Sequence, residues 1–305
     1  MAVIDTLNYS RVTTVGDFFA LLKPRVMSLV VFTGLAGIIV APGHVHLLTA
    51  FTALLCIALA AGASGALNMA FDSDIDRIMT RTATRPIPMG HVARSDALAF
   101  GWSISAMSVA TMWLFVNALA AGLLAFTVFF YVVVYTLGLK RRTTQNIVIG
   151  GLAGALPPAI GWAAVTGSLS LPPILLVAII FMWTPPHFWA LSLWRCEDYA
   201  RAGVPMLPVV KGKTATRRQI FAYTLVLAPL GVSPVFVGLG GMLYFILSAT
   251  MGFWMLLEAF ATLRERDEVR EPAAKRLFGV SLLYVFVPFA ALIIERILHL
   301  PPLWA

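Results

Sequence analysis

Long apolar runs separated by short polar connections dominate the chain from residue 26 to residue 294. A helix needs about 20 apolar residues to cross the hydrocarbon core of a bilayer. Runs of about that length occur nine times, and their interiors are almost free of charge. We therefore predict an all-α fold with nine transmembrane helices, at residues 26–42, 47–69, 97–115, 119–139, 147–167, 171–193, 219–238, 240–262 and 277–294.

The overall composition agrees with this pattern and excludes several classes of protein. Of the 305 residues, 60% are hydrophobic and only 12% are charged, whereas a soluble domain is about half apolar and about a quarter charged. A soluble enzyme, a disordered chain and a disulfide scaffold are therefore excluded. We interpret residues 1–305 as a single membrane-embedded domain with a cytoplasmic tail at residues 1–22.

The positive charges mark one side of the predicted membrane protein. All but one of the 22 Lys and Arg residues fall ahead of the first helix or in the connections after the second, fourth, sixth and eighth helices. By the positive-inside rule these segments are cytoplasmic. We expect the protein to lie in a bacterial cytoplasmic (inner) membrane. Nine spans then place the C-terminus outside. The net charge of +8 therefore reflects topology and predicts no nucleic-acid partner.

Three polar residues follow one another along the cytoplasmic end of the second helix. Asn68, Asp72 and Asp76 are spaced four residues apart, so they share one helical face, whereas Asp74 points elsewhere. Carboxylate oxygens at such a spacing suit Mg²⁺, which is usually held by one or two carboxylates together with substrate phosphates. The alternative is a solvated helix end whose carboxylates offset nearby arginines.

Two arginines come next, beside rigid prolines. Arg81 and Arg85 precede Pro86 and Pro88, and guanidinium groups form forked hydrogen bonds to phosphate oxygens. Carboxylates for a metal followed by guanidiniums for phosphate indicate a diphosphate site. The alternative reading is that these arginines only anchor the cytoplasmic side.

The run from Asn68 to Gly90 resembles a known family. Its Asn/Asp spacing is similar to the first aspartate-rich motif of the intramembrane aromatic prenyltransferase (UbiA-type) superfamily, and the segment Asp76–Pro86 resembles the protohaem IX farnesyltransferase branch. The resemblance extends over about residues 15 to 300. It implies a cytoplasm-facing active site in which Asp72, Asp76, Arg81 and Arg85 act on a prenyl diphosphate.

The next cytoplasmic connection begins with three adjacent cations. Lys140, Arg141 and Arg142 either neutralise a diphosphate leaving group or serve as topological anchors. The following helix contains small residues, which allow close helix packing, and Pro157-Pro158, which interrupts the backbone where a cavity could open. This run also resembles the haem farnesyltransferase pattern.

The sixth helix carries a lone histidine near its cytoplasmic end. His187 follows Pro185-Pro186, which we interpret as a break, and lies near Trp183. It is either a hydrogen-bonded structural residue or, as the resemblance implies, a residue that orients a porphyrin. Glu197 and Asp198 are candidates for a second metal-binding cluster, although the second aspartate pair usual in the superfamily is missing because Trp194 and Ala202 occupy its positions.

The resemblance also implies a reaction. The chain is expected to transfer the farnesyl group of farnesyl diphosphate to a vinyl group of protohaem IX (haem b), with addition of water, giving haem O for terminal-oxidase biogenesis. Mg²⁺ is the expected cofactor, held by Asn68, Asp72 and Asp76, and haem b is a substrate. The expected partners are both substrates, membrane lipid and haem A synthase. Alternatives are another aromatic acceptor, a transporter and a non-catalytic assembly protein.

Overall fold

The computed structural model describes residues 13–304, apart from the side chains of Arg25 and Val26. Residues 1–12 of the predicted tail, with its cation Arg11, lie outside the described residues. Within the described range all regular secondary structure is helical, which confirms the all-α prediction. The described part of the tail forms a short helix, α1 (Val15–Leu21), capped by the side chain of Thr14.

The remaining helices follow the predicted apolar runs closely. The front half of the chain forms α2 (Pro24–Val40), α3 (Leu47–Phe71), α4 (Ser73–Ile78), α5 (Arg94–Phe115) and α6 (Ala118–Phe129), which continues as a π-helical segment (Phe130–Leu139). The back half forms α7 (Asn146–Ala155), α8 (Pro157–Thr166), α9 (Leu171–Trp194), α10 (Cys196–Arg201), α11 (Leu207–Lys211), α12 (Lys213–Val232), a 3-10 turn (Ser233–Val237), α13 (Met242–Leu263) and α14 (Pro272–Ile297).

Eight of the described helical stretches are long and apolar enough to cross a membrane. Three of them combine two consecutive segments, namely Ala118–Leu139, Asn146–Thr166 and Lys213–Val237. The first predicted span corresponds to α2, which has 17 residues and is shorter than the others. The chain is therefore a polytopic membrane protein, and a count of nine crossings stays a prediction.

Helices α2 and α8 lie at the centre of the bundle and approach each other closely. A Cβ atom on Gly37 would lie 2.1 Å from the Pro158 carbonyl oxygen, and one on Gly161 would lie 2.2 Å from the Gly34 carbonyl oxygen. Only residues without a side chain permit this contact between two backbones. One apolar core, built mainly by α3, α6 and α8, lies on one side, and a second, built by α9, α12, α13 and α14, lies on the other.

Two proline-containing sites behave differently from each other. The helix at residues 146–166 breaks at Leu156, between α7 and α8, as Pro157-Pro158 predicts. The break expected at Pro185-Pro186 is absent, because α9 continues through both prolines to Trp194. Prolines remove backbone donors, but packed neighbouring helices tolerate this inside membranes. The prediction of a break before His187 was wrong.

Candidate active site

The first polar motif lies where α3 gives way to α4. The helix expected to run without interruption through Asp76 ends at Phe71, and Asp72 leaves the helical conformation with φ −96° and ψ 9°. The hydrogen bonds from Asp72 N to Asn68 O (2.9 Å) and from Asp76 N to Asp72 O (2.8 Å) nevertheless maintain the four-residue spacing. The Asn68 amide donates to Asp72 Oδ2 at 2.6 Å, so these two side chains share one face, as predicted.

Asp72 is completely buried and is surrounded by donors. Its Oδ2 atom also accepts a hydrogen bond from the Lys140 ammonium group. Its Oδ1 atom has no hydrogen-bond partner among the described residues, and the Arg141 guanidinium lies 3.6 Å from it. A buried carboxylate oxygen without a donor is costly, and it is available to a ligand.

Asp76 is also buried and forms an ion pair with Arg85 at 2.6 Å. The hydroxyl of Thr82 donates to the Asp76 carbonyl oxygen at 3.0 Å, which folds the loop after α4 back onto this helix. Arg81 is exposed and lies beside Tyr199 of α10. Of the two predicted phosphate-binding arginines, Arg85 thus directly contacts a motif carboxylate.

Asp74 faces away from this cluster, as the helical spacing predicts. The Arg141 guanidinium forms two hydrogen bonds of 2.6 Å with its carboxylate and a third with the Phe71 carbonyl oxygen at 3.1 Å. These bonds to Arg141 lower the pKa of Asp74 to about 2. Arg141 therefore lies between the exposed Asp74 and the buried Asp72.

Two further contributors to the cluster were missed by the sequence analysis. The Lys23 ammonium group donates to Asn68 Oδ1 at 3.0 Å, and burial, with the positive Arg85 and Lys140 nearby, lowers the pKa of Lys23 to about 7. Thr136 accepts a hydrogen bond from Asn68 Nδ2 at 3.2 Å. Lys23 lies just ahead of the first predicted span, and no local signal joins it to a residue 45 positions away.

The π-helical segment explains how Thr136 and Lys140 reach the cluster. Its backbone uses i→i+5 hydrogen bonds, such as Lys140 N to Tyr135 O at 2.9 Å, and the Thr136 hydroxyl donates to the Tyr131 carbonyl oxygen at 2.8 Å. Such wide turns are rare and occur frequently at functional sites. The last turns of this helix therefore present two polar side chains to the Asn68–Asp72 face.

An apolar cavity of about 150 Å³ lies directly beneath this cluster. Lys23, Gly65 and Tyr131 line the end nearest the carboxylates, and Gly154 and Pro157 line it at the break between α7 and α8. The cavity thus opens where Pro157-Pro158 predicts an interruption of the backbone. It is a space for an apolar group attached to whatever the polar cluster binds.

The second cytoplasmic segment contacts the first through Asp198. Its Oδ1 atom accepts hydrogen bonds from Thr80 N at 2.9 Å and from Arg201 at 2.6 Å, while its buried Oδ2 atom has no partner among the described residues. Burial raises the pKa of Asp198, but the hydrogen bonds from Thr80 and Arg201 outweigh it and leave the pKa below the usual value. Glu197 is exposed, so of this pair only Asp198 touches the first loop.

His187 is held between two aromatic rings. Its imidazole stacks on Trp183 at 4.3 Å and on Phe278 at 4.5 Å between ring centroids, and its Nδ1 atom lies 2.6 Å from Ser281 Oγ. In the tautomer with its proton on Nδ1, His187 donates to Ser281 Oγ, whose own hydroxyl donates to the Phe278 carbonyl oxygen at 2.7 Å. The Nε2 atom then carries the lone pair. Sequence reasoning missed both α14 residues.

The oxygen atoms of the first motif fit a hard divalent cation. Asp72 and Asp76 supply carboxylate oxygens, of which Asp72 Oδ1 lacks a donor, and Asn68 supplies an amide oxygen. Within residues 13–304 no group of three or more His, Cys, Asp or Glu side chains could enclose a metal ion. A site with few protein ligands is typical of Mg²⁺ that is completed by water and substrate phosphates.

Comparison with protein families and curated sequences gives consistent matches. The model of the UbiA prenyltransferase family matches residues 30–285. A protoheme IX farnesyltransferase of Azorhizobium caulinodans is 59% identical over 287 residues, which cover 94% of this chain and 94% of that protein. A protoheme IX farnesyltransferase of Parvibaculum lavamentivorans is 60% identical over 285 residues, covering 93% of this chain and 90% of that protein.

Solved structures show the same fold at low sequence identity. A digeranylgeranylglyceryl phosphate synthase superposes with a TM-score of 0.75 and 17% identity, over 91% of this chain and 98% of that one. A UbiA homologue from Archaeoglobus fulgidus bound to GPP and Mg²⁺ superposes with a TM-score of 0.69 and 17% identity, over 90% of this chain and 99% of that one. The arrangement of helices is thus shared well beyond the close relatives.

Proposed function

The chain belongs to the UbiA prenyltransferase family, and on that premise we propose that it transfers the farnesyl group of farnesyl diphosphate to a vinyl group of protohaem IX, with addition of water, to give haem O and diphosphate. The acceptor and the donor follow from relatives that are 59% and 60% identical over nearly the whole chain and are named protoheme IX farnesyltransferase. The observation in this molecule that carries the proposal is the polar cluster around Asp72 above an apolar cavity.

The first motif is the proposed site of Mg²⁺. The structure of the Archaeoglobus fulgidus homologue contains GPP and Mg²⁺, and Asn68, Asp72 and Asp76 offer the oxygen atoms that such an ion prefers. Bound there, Mg²⁺ supplies Lewis-acid stabilisation of the departing diphosphate. The free oxygen of Asp198 makes this residue a better candidate for a second metal ligand than the exposed Glu197.

Basic residues around the carboxylates stabilise the leaving group. Lys140 and Arg85 now neutralise Asp72 and Asp76, and they take up the negative charge that develops on the diphosphate as the C–O bond breaks. Arg141 lies next to them, with one side already anchored by Asp74, and Arg81 extends the positive surface toward α10. Guanidinium groups bind phosphate oxygens in pairs, which orients the leaving group.

The apolar cavity accommodates the farnesyl chain. Breaking the C–O bond leaves an allylic cation at the first carbon of this chain, and water would capture that cation before the acceptor does. The cavity walls of Ile57, Leu124 and Ile160 are buried and apolar, so they exclude water from the chain. The vinyl π electrons of haem then form the new C–C bond. Water adds to the remaining cation and loses a proton to the solvent.

The ring system around His187 is the proposed contact for the porphyrin. Because Ser281 accepts the Nδ1–H bond, the Nε2 lone pair of His187 is free to bind the iron of the haem substrate, and Trp183 fixes the ring plane. A hydrogen bond at the ring nitrogen that does not bind the iron orients a histidine ligand and raises its basicity. Haem is consumed as a substrate, and the product passes to haem A synthase. Both proteins lie in the bacterial inner membrane. The cytoplasmic loops of this chain carry the active site.

The deciding experiment uses purified protein in detergent with haem b, farnesyl diphosphate and Mg²⁺. The extracted haem should gain the mass of one farnesyl group and one water, and EDTA should abolish this gain. If folded protein leaves haem unchanged but prenylates a quinone precursor, the haem assignment is wrong and the fold-level assignment stands. If no acceptor is prenylated, the transferase assignment itself fails.

Substitution of the motif carboxylates tests the metal site within the same assay. Asp72→Asn and Asp76→Asn should each lower turnover by at least about a hundredfold, because each removes charge from the metal–diphosphate site, while the protein still inserts into the membrane. Asp96→Asn is the matched control, since Asp96 is exposed on the first turn of α5 and should leave turnover unchanged. Wild-type-like activity in either motif variant would refute the metal assignment.

A further inference from the structure

The cavity beneath the polar cluster is lined at one end by buried apolar side chains. On α3, Gly65 lies at the polar end of the cavity and Ile57 lies eight residues further into the membrane, which corresponds to a helical rise of about 12 Å. Ile57, Leu124 and Ile160 are each at most 2% exposed and belong to three different helices. The cavity therefore has a limited depth, and a prenyl chain that enters at the carboxylates meets a packed wall.

Gly154 lines this cavity with an exposed backbone and leaves part of the cavity open. It follows Asn146 by eight residues on α7, and the Asn146 amide donates to the Lys140 carbonyl oxygen at 3.1 Å, which sets Asn146 at the level of the polar cluster. Gly154 thus lies about 12 Å further along α7 than Asn146. A Cβ atom built on Gly154 would have no heavy atom within 4 Å, so a side chain there would project into free space.

We propose that the depth of this cavity, which the missing side chain of Gly154 keeps open, selects the length of the prenyl chain in the donor. This inference rests on the proposed function for the diphosphate site but not on the identity of the acceptor. A larger residue at position 154 shortens the cavity, so it excludes the last isoprene unit of a farnesyl chain. A smaller residue at the apolar end lengthens the cavity and admits a further unit.

The test measures binding of unreactive donors to the full-length protein in detergent with Mg²⁺. The probes are the thiolo analogues of geranyl, farnesyl and geranylgeranyl diphosphate, in which sulfur replaces the bridging oxygen, and calorimetry gives their Kd values. In Gly154→Leu the affinity for the farnesyl analogue relative to the geranyl analogue should fall about tenfold, the scale on which an apolar pocket discriminates by size. An unchanged ratio overturns the proposal.

Two further variants keep the outcome interpretable. Gly122→Leu introduces the same side chain at an α6 glycine that also has open space around it but does not line this cavity, and it should keep the wild-type ratio. Leu124→Ala should raise the affinity for the geranylgeranyl analogue relative to the farnesyl analogue about tenfold, and it decides the matter if Gly154→Leu does not fold. No shift in Leu124→Ala then overturns the proposal. Because these probes need no acceptor, the binding assay tests the chain-length proposal even if the protein does not farnesylate haem.

Discussion

At the scale of single residues, the candidate site depends on pairings between a local motif and distant side chains. The spacing of Asn68, Asp72 and Asp76 could be predicted because four-residue periodicity is a local property of the chain. Lys23 could not be predicted as a partner of Asn68, since that contact requires the fold to join α3 to the residue preceding α2. The same holds for Ser281, which has no sequence feature that links it to His187 94 positions earlier.

Ser281 provides a residue-scale prediction about haem binding. Ser281→Ala removes the acceptor that orients the His187 ring, so the affinity for haem b should fall about tenfold, the lower end of the losses seen when a hydrogen-bond partner of a metal ligand is removed. Titration of haem b without donor, followed by visible absorption, measures both the affinity and the spectrum of a histidine-bound iron. Ser281→Thr keeps the oxygen and should restore both.

Ser248→Ala is the matched control for this prediction. Ser248 is buried on α13, and its hydroxyl donates to the Phe245 carbonyl oxygen three residues earlier, as Ser281 does toward Phe278. Its replacement should alter stability to a similar degree without changing haem binding. If Ser281→Ala binds haem with the wild-type spectrum and affinity, His187 is a structural residue of the α9–α14 interface.

At the scale of secondary-structure elements, hydrophobic runs predicted where the helices lie but not how they are distorted. The π-helical segment Phe130–Leu139 is as apolar as an ordinary helix, and no residue pattern distinguishes the two. The end of α3 at Asp72 was likewise hidden, because Asn68–Asp76 has the spacing of a continuous helix. The prolines gave mixed results, since Pro157 follows a break and Pro185 does not. These distortions arise from packing between helices.

The π-helical segment gives a prediction at this scale. Inserting an alanine after Leu139 adds one residue between the π-helical segment and Lys140, which turns Lys140 by about 100° relative to the preceding helix. Diphosphate release should then fall by about a hundredfold, as for loss of one group that stabilises the leaving group. Val133→Ala changes an exposed position of the same segment without altering the register and should retain activity. Full activity of the insertion variant would mean that Lys140 needs no such placement.

At the scale of the whole molecule, the distribution of charge sets the orientation in the membrane, and helix packing sets which charges pair. The concentration of cations on one side predicts the orientation in the membrane, but several of these cations also form specific pairs. Arg217 is buried and lies 2.8 Å from the buried Glu271, and Arg276 lies 3.1 Å from Glu258, the one charge inside a predicted span. Charge counting could predict the side of the membrane, whereas the pairs depend on how α12, α13 and α14 meet.

The number of crossings is the prediction that belongs to this scale. With nine crossings, alkaline phosphatase fused after Ala305 should be active and a green fluorescent protein at the same position should be dark, because the C-terminus lies outside. A fusion after Arg142 should give the opposite pair of results, since that connection is predicted to be cytoplasmic. A fluorescent fusion after Ala305 would refute the count of nine crossings, and α2, which has 17 residues, would be the first candidate for a helix that does not cross.

The ion pairs of Asp72 with Lys140 and of Asp76 with Arg85 affect which anions of the cytosol can bind to the site. Two carboxylates and two cations balance one another, so Lys140 and Arg85 offer little attraction to stray anions. Nucleotides and inorganic phosphate, which are abundant there, must break one of these pairs before Lys140 or Arg85 can bind them. A diphosphate that arrives with its own divalent ion can replace both ion pairs in a single step. Lys140 and Arg85 then face the phosphate oxygens, and Asp72 and Asp76 face the metal ion. The two ion pairs thus favour binding of diphosphates that carry a divalent cation over binding of free anions.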